Sequence, residues 1–155
     1  MSEFTHITIT GAATGISFLR AAWWRIEGCS FFNNLTGVYV RDLANPDAGD
    51  SSISNCTFLT TRGNNAYGIV QNSGGGLRIE NNKILGGGYG YCLSLTPGDT
   101  TCDLFLIGNS IEGQAYGGAA FVHSGSGVFL NVLITGNEFN KQACPVQVLA
   151  FTSGP

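Results

Sequence analysis

Short apolar segments alternate with turn-forming residues along the whole chain. Residues 77–95, LRIENNKILGGGYGYCLSL, show the pattern: apolar and polar positions alternate over three or four residues, and then paired Asn or a run of Gly interrupts them. Alternation with a period of two predicts β-strands, and Asn and Gly are favoured in turns. Because no helix-length segment separates the strands, the pattern predicts an all-β chain of very short strands.

One six-residue motif recurs at a nearly constant spacing and predicts a repeat protein. It reads apolar-x-(Gly/Asn)-(Asn/Cys)-x-(Phe/Ile). The copies are IEGCSF from Ile26, ISNCTF from Ile53, IENNKI from Ile79, LIGNSI from Leu106 and ITGNEF from Ile134. Their starts are 27, 26, 27 and 28 residues apart, and repeats of this length are typical of solenoids, propellers and arrays.

A second apolar segment, usually led by Gly, follows each motif. These segments are GVYV from Gly37, GIVQ from Gly68, GYCL from Gly90, GAAF from Gly118 and PVQV from Pro145. GISF from Gly15 fits the same position and predicts a shorter coil before the first motif. Each period therefore contains three short strands, two of them joined by a tight two-residue turn.

The tight turn indicates how the coils stack. Such a turn requires left-handed backbone geometry, which Gly and Asn tolerate best. Stacked coils place Asn82, Asn109 and Asn137 above one another at about 4.8 Å, where their amides can hydrogen bond. A propeller blade would need about 40 residues. The remaining architecture is an all-β parallel β-helix of about five to six coils, with roughly 27 residues per coil.

Residues 7–150, which carry these repeats, resemble right-handed parallel β-helices of the pectin-lyase-like class. Within that class the sequence is similar to segments of bacteriophage tailspikes and tail fibres. The resemblance implies one β-helix domain over residues 1–155, as a segment of a longer spike or fibre. It also implies a homotrimer on the virion tail that engages cell-surface polysaccharide. The class includes lyases, hydrolases, epimerases and scaffolds. The resemblance is therefore specific for the fold and does not specify the function.

The topology of that class assigns a face to each position. By analogy, Trp24–Glu27 and its equivalents form the second sheet, and the Gly-led segments form the first sheet. The third sheet begins at Phe31, Phe58, Ile84, Ile111 and Phe139. Alternation sends inward Trp24, Ile26, Leu77, Ile79, Leu104, Leu106, Val132 and Ile134. It sends outward, on the second sheet, Arg25, Glu27, Arg78, Glu80, Phe105, Ile107, Leu133 and Thr135. Outward positions of the first sheet are Ser17, Tyr39, Arg41, Val70, Cys92, Ser94, Ala120, Val122 and Gln147.

Four acids are candidates for catalysis. A polysaccharide hydrolase needs two carboxyl groups, and the outward row of the first sheet has none. Glu27 and Glu80 occupy equivalent positions two coils apart, about 9.6 Å between Cα atoms, near the upper end for an inverting pair. Asp99 and Asp103 belong to a cluster of loop acids on the connection between the first and second sheets, with Asp42, Asp47 and Asp50. These acids could line a sugar cleft or bind Ca²⁺. A solvated Arg/Glu ladder and ordinary turn chemistry explain the same residues without catalysis.

Other outward residues are candidates for ligand binding and for an interface. Aromatic faces are a common means of holding the apolar side of a sugar. The ligand-binding candidates are Trp23, Tyr39, Arg41, Tyr89 and Tyr116. Phe105, Ile107 and Leu133 should form an outward apolar patch on neighbouring coils, and such patches usually mark an interface.

Charge and cysteine content exclude some functions. Charged residues make up 11% of the chain, and the seven Lys and Arg are scattered at a net charge of −3, so a nucleic-acid partner is not expected. The chain lacks an eighteen-residue apolar run, and its beginning lacks the features of a signal peptide. Cys29 and Cys56 should stack in adjacent turns, and free thiols are expected there because a cytoplasmic site of assembly is reducing. His6 and His123 lack metal-ligand spacing, and no cofactor is predicted.

Three functions therefore remain open from the sequence. The leading prediction is a structural and receptor-binding spike module. The alternatives are a polysaccharide depolymerase, hydrolase or lyase, with a site shared between subunits, and a scaffold without a ligand.

Overall fold

The computed structural model describes residues 1–19, 21–41, 50–72, 76–95, 100–124, 128–142 and 144–151. Within them the chain winds through three parallel sheets of six strands each, and every turn of the chain contributes one strand to each sheet. Ile26 pairs with Ile53, one coil of 27 residues later. The predicted all-β class, the three strands per coil and the coil length are confirmed. Over the described ranges, no helix is long and apolar enough to cross a membrane.

Strands of the first and second sheets are longest in the last two coils, whereas every third-sheet strand has three residues. The second sheet consists of β1 (Ser2–Thr5), β4 (Trp24–Glu27), β7 (Ser51–Ser54), β10 (Leu77–Glu80), β13 (Thr100–Ile107) and β16 (Val128–Thr135). The third sheet consists of β2 (Thr8–Thr10), β5 (Ser30–Phe32), β8 (Thr57–Leu59), β11 (Lys83–Leu85), β14 (Ser110–Glu112) and β17 (Glu138–Asn140). The first sheet consists of β3 (Thr14–Leu19), β6 (Thr36–Arg41), β9 (Tyr67–Asn72), β12 (Tyr89–Leu95), β15 (Gly117–Ser124) and β18 (Cys144–Phe151).

The coil before the first motif has all three strands, and the prediction of a shorter coil is confirmed, because its paired residues are 22 positions apart rather than 27. Phe4 pairs with Ile26, and Ile9 pairs with Phe31. The segment FTHITI therefore occupies the motif position without its Gly or Asn. His6 takes the left-handed turn conformation instead, with φ of 53°.

The core follows the predicted alternation, with two corrections. Six of the eight predicted second-sheet core residues are buried: Trp24, Ile26, Leu77, Ile79, Leu104 and Leu106. Val132 is 36% exposed because β16 is the last strand of its sheet and no further coil covers it. Ala120 is buried although its position faces outward, because its methyl group lies between the larger Cys92 and Gln147 of the paired strands.

Side chains of the second turn residue form a hydrogen-bonded stack, here called the inner ladder. Its members are Cys29, Cys56, Asn82, Asn109 and Asn137. The Asn82 amide donates to Asn109 Oδ1 at 3.0 Å, and the Asn109 amide donates to Asn137 Oδ1 at 2.9 Å. The preceding residues have φ between 53° and 64°: His6, Gly28, Asn55, Asn81, Gly108 and Gly136. The predicted Asn stack is confirmed.

The Gly that leads each first-sheet segment has a packing role. A Cβ atom on Gly37 would lie 2.6 Å from the Gly68 carbonyl oxygen and 2.5 Å from Phe58 Cδ1. Contacts this short force a shift of backbone or of a packed ring. The Gly thus makes room for the third-sheet side chain of the next coil.

Candidate functional site

Five residues stack along one corner of the solenoid, where the chain comes from the first sheet into the second. This corner column consists of Trp23, Asp50, Gly76, Asp103 and Asn131, whose φ angles are 57°, 60°, 64°, 56° and 51°. Each stands one residue before an inward-facing position of the second sheet. The strand register places them at consecutive levels, about 4.8 Å apart.

Four of these residues suit the left-handed conformation, and the fifth does not. Gly, Asn and Asp visit this region at low cost, whereas a bulky side chain there is a conformational outlier. Trp23 nevertheless holds φ of 57° and leaves 63% of its surface exposed. Strain of this kind costs of order 1–3 kcal/mol and is found most often at functional sites. Burial therefore does not account for Trp23 at this position.

An open depression of about 270 Å³ lies along the column. It is lined by Asp50, Ser51, Ser52, Gly76, Arg78, Asp103 and Phe105. Gly76 contributes no side chain, so a gap opens between the carboxylates one level above and one level below it. These carboxylates belong to Asp50 and Asp103, two levels and about 9.6 Å apart along the stack.

The walls of the depression are held by specific contacts. The Arg78 guanidinium lies 4.6 Å from the centre of the Phe105 ring and 2.7 Å from Glu80 Oε1. The Asn131 amide donates to Asp103 Oδ1 at 3.0 Å. The depression thus offers carboxylate, guanidinium and hydroxyl groups beside an aromatic ring.

Of the four predicted catalytic acids, the three that the structure describes do not come together. Glu27 and Glu80 lie two levels apart on the outer face of the second sheet, on either side of Ser54. Each forms an exposed ion pair within its own strand, 2.7 Å from Arg25 and from Arg78 respectively. Asp103 lines the depression, and Asp99 lies outside the described residues. The side chains of Ser94, Val122 and His123 also lie outside the part of the chain that can be described.

A row of tyrosines follows the edge of the first sheet. The rings of Tyr67 and Tyr89 stack with centroids 6.1 Å apart and planes 11° from parallel, so each covers a face of the other. Tyr116 lies 5.6 Å from Tyr89 at a tilt of 43°. The Tyr89 hydroxyl donates to Gln147 Oε1 at 3.1 Å. Tyr116 is the exposed end of the row.

The remaining two ligand-binding candidates lie further along the first sheet. Tyr39 points outward and is half-buried, and its hydroxyl accepts a hydrogen bond from the Asn72 amide at 2.9 Å. Arg41 is exposed at the end of its strand. Neither residue lines the depression.

The outward apolar patch has the predicted orientation. Phe105 pairs directly with Leu133, and Ile107 pairs with Thr135. Leu133 is 46% exposed, and Phe105 and Ile107 are half-buried. The register of the second sheet is therefore the one expected from the sequence.

The cysteines whose side chains are described are free, as predicted for Cys29 and Cys56. The Cys56 thiol donates to the Ser54 carbonyl oxygen at 3.2 Å. Burial, together with the nearby Cys29, raises the pKa of Cys56 to about 12. Among the described side chains, no group of three His, Cys, Asp or Glu could hold a metal ion.

Sequence reasoning placed Asp50 and Asp103 among acids that could line a sugar cleft, but it did not identify this depression. It missed Gly76 as the gap between them, and it placed Arg78 only on a surface ladder. A signal was present, because every member of the corner column stands three residues before a copy of the six-residue motif.

Comparison with known proteins agrees with this architecture. Residues 1–103 match the family described as right handed beta helix region. Neither a curated protein nor a solved structure gave a significant match. A β-helix of this kind is consistent with a scaffold or a polysaccharide-binding module. Since the match covers well over half of the chain, the protein belongs to the right-handed β-helix family.

Proposed function

We propose that this protein is a polysaccharide-binding β-helix module whose ligand lies along the corner column. The observation that carries the proposal is Trp23, a large aromatic side chain held exposed in a strained conformation. The indole face can stack on the apolar side of a sugar ring. The neighbouring depression supplies polar groups for its hydroxyls, as carbohydrate and other small-molecule sites usually do.

The charge of the depression narrows the ligand class. Asp50 and Asp103 line it with one cation, Arg78, which is already paired with Glu80. Like charges repel, so a polymer rich in uronic acid would bind poorly. The ligand is a neutral polysaccharide or one that carries amino sugars.

Tryptophan fluorescence provides the binding test. The chain has two tryptophans: Trp23 is 63% exposed, whereas Trp24 is 1% exposed and stacks on Phe18. Neutral O-antigen polysaccharide should protect Trp23 from quenching by acrylamide, and polygalacturonate should not. Uniform quenching in the presence of every polysaccharide would contradict the proposal.

A matched pair of variants locates the site. Trp23→Asn should weaken binding about tenfold or more, equivalent to about 1.4 kcal/mol, whereas Tyr116→Ala should leave it unchanged. The opposite result would move the ligand to the tyrosine row of the first sheet.

A narrower version of the proposal places this module in a bacteriophage tailspike or tail fibre, on the virion tail. It is supported by the resemblance of the repeats to segments of tailspikes and tail fibres. Binding of a phage-host surface polysaccharide, together with assembly of the chain into a fibre, would be the expected behaviour.

A second candidate function is hydrolysis of the bound polysaccharide. It is supported by Asp50 and Asp103, which face the gap at Gly76 about 9.6 Å apart between Cα levels, near the upper end for an inverting carboxyl pair. Release of reducing ends that is lost in both Asp50→Asn and Asp103→Asn would support an enzyme. Binding without release of reducing ends would support the module alone.

A further inference from the structure

The outer face of the second sheet carries two parallel columns of side chains, and each strand contributes one residue to each column. The first column runs Arg25, Ser52, Arg78, Phe105, Leu133. The second column, two residues further along each strand, runs Glu27, Ser54, Glu80, Ile107, Thr135. Four of these five levels present a basic–acidic, polar–polar or apolar pair, and the fifth presents Leu133 beside Thr135. A sixth level, on β1, presents Glu3 beside Thr5.

We infer that this face binds a second copy of the chain, related by a two-fold axis parallel to the solenoid axis. Such a rotation brings two identical faces together and reverses the direction of the strands. The first column of one copy then lies against the second column of the other, at the same level. A two-fold contact of this type is self-complementary and closed.

The charges match under this rotation. Arg25 of one copy meets Glu27 of the other, and Arg78 of one copy meets Glu80 of the other. Because the rotation is symmetric, each level gains the contact twice. The side chains are available for it, since the arginines are 43% and 48% exposed and their glutamates 31% and 28%.

The apolar levels match as well. Phe105 of one copy meets Ile107 of the other, and Leu133 of one copy meets Thr135 of the other, whose methyl group is apolar. A two-fold axis along the strands would instead reverse the order of the coils. With that axis, the apolar patches of two copies could meet only if the two solenoids overlapped at the ends that carry the patch. The charged levels would then have no partner in the other copy.

The size of the face sets the strength of the contact. Six strands of four residues form a surface of about 300 Å² per copy, and stable complexes usually bury about 800 Å² per partner. The dimer is therefore weak and dependent on concentration. Arg78 and Phe105 also line the depression, so dimer formation closes one of its sides. Substitutions at the other residues of the face, which do not line the depression, test dimer formation independently of polysaccharide binding.

Sedimentation equilibrium of the full chain, at concentrations up to about 1 mM, tests the inference. The mass should rise from 16.3 kDa towards twice that value. Leu133→Glu should reduce association at least tenfold, while Leu59→Glu should leave it unchanged. The control is closely matched, because Leu59 is a 38% exposed leucine on the third sheet. Circular dichroism confirms that both variants fold.

Charge exchange supplies a second test that does not depend on the apolar patch. A chain with Arg25→Glu and Arg78→Glu should stay monomeric, as should a chain with Glu27→Arg and Glu80→Arg. An equal mixture of the two should form heterodimers. Arg25→Glu combined with Glu27→Arg exchanges the charges within one level and should still form homodimers.

Several outcomes would overturn the inference. These are a monomer at all concentrations, a mass of three chains, equal loss of association in Leu133→Glu and Leu59→Glu, or no association in the mixture of charge variants. A trimer would place this face against a different surface of the neighbouring chain, rather than against itself.

Discussion

The inner ladder and the corner column are both stacks that repeat once per coil, yet they use their side chains differently. In the inner ladder the side chains are buried or half-buried and bond to one another and to backbone carbonyl groups. In the corner column they change from Trp to Asp, Gly, Asp and Asn, and those of Trp23, Asp50, Asp103 and Asn131 are exposed. The backbone conformation is the shared feature of the column, because all five residues are left-handed.

This difference indicates where a solenoid can acquire a binding function. A ladder member must satisfy the coils above and below it, so its chemistry is restricted to Asn and Cys. A column member must only adopt a left-handed φ, so its side chain can vary from coil to coil. A loss of stability is therefore expected from changes in the ladder, and a loss of binding from changes in the column.

The largest effect should follow removal of a ladder amide. Asn109 donates to the Ile79 carbonyl and to Asn137, and its Oδ1 accepts from the Asn82 backbone N–H. Asn109→Ala leaves buried polar groups without partners, each worth about 1–3 kcal/mol, so the free energy of unfolding should fall by about 3 kcal/mol or more. Urea denaturation measures the change.

A column variant is the control for that experiment. Asn131→Gly keeps a residue that accepts φ of 51° and removes only an exposed hydrogen bond to Asp103. Its effect should be within about 0.5 kcal/mol. Equal effects of Asn109→Ala and Asn131→Gly would remove the distinction between the two stacks.

The ladder should also respond to alkaline pH through Cys56. Burial raises the pKa of its thiol from 9.0 to about 12. Below pH 9 the thiol is protonated in both the folded and unfolded states, and its contribution to stability is fully present. Between pH 9 and 12 the unfolded thiol ionises first, so stability falls as pH rises.

Comparison of wild type with Cys56→Ser isolates that contribution, because other groups titrate in both proteins. The difference in unfolding free energy should be constant below pH 9 and should shift against wild type above it. A difference that stays constant up to pH 12 would be evidence against a buried, protonated thiol.

A smaller change, a gain in stability, should follow replacement of a cysteine of the inner ladder by asparagine. The Cys56 thiol lies 3.9 Å from the Ile26 carbonyl oxygen, whereas Asn82 reaches the equivalent carbonyl of Ile53 at 2.9 Å. Cys56→Asn should add one buried hydrogen bond, worth about 1 kcal/mol. The melting temperature should rise, and a fall would mean that the turn at Cys29 has no room for an amide.

The sequence was sufficient to predict the fold, the register and the inner ladder because these depend on residue types that recur. Ile26 and its equivalents, and the Asn of each turn, repeat in kind at nearly constant spacing. The outward orientation of Phe105 and Leu133 follows from the same alternation.

The depression was not predictable in the same way, because it depends on what a position lacks. Gly76 opens the gap between Asp50 and Asp103 only once the coils are stacked. Trp23 shares a backbone conformation, and no side-chain chemistry, with its column neighbours. The burial of Ala120 likewise depends on the size of the residues in the paired strands, which a pattern of apolar and polar positions does not contain.

We propose that the corner column binds polysaccharide at the expense of backbone strain, and Trp23→Asn is the variant that separates these two effects. One preparation of this variant should be measured both for its unfolding free energy and for its binding of neutral O-antigen polysaccharide. Asn is the residue at the equivalent position of the last coil and accepts the left-handed conformation. We predict that binding weakens at least tenfold, while the unfolding free energy rises by about 1 kcal/mol or more. Unchanged binding, or a loss of binding accompanied by a loss of stability, would contradict the claim.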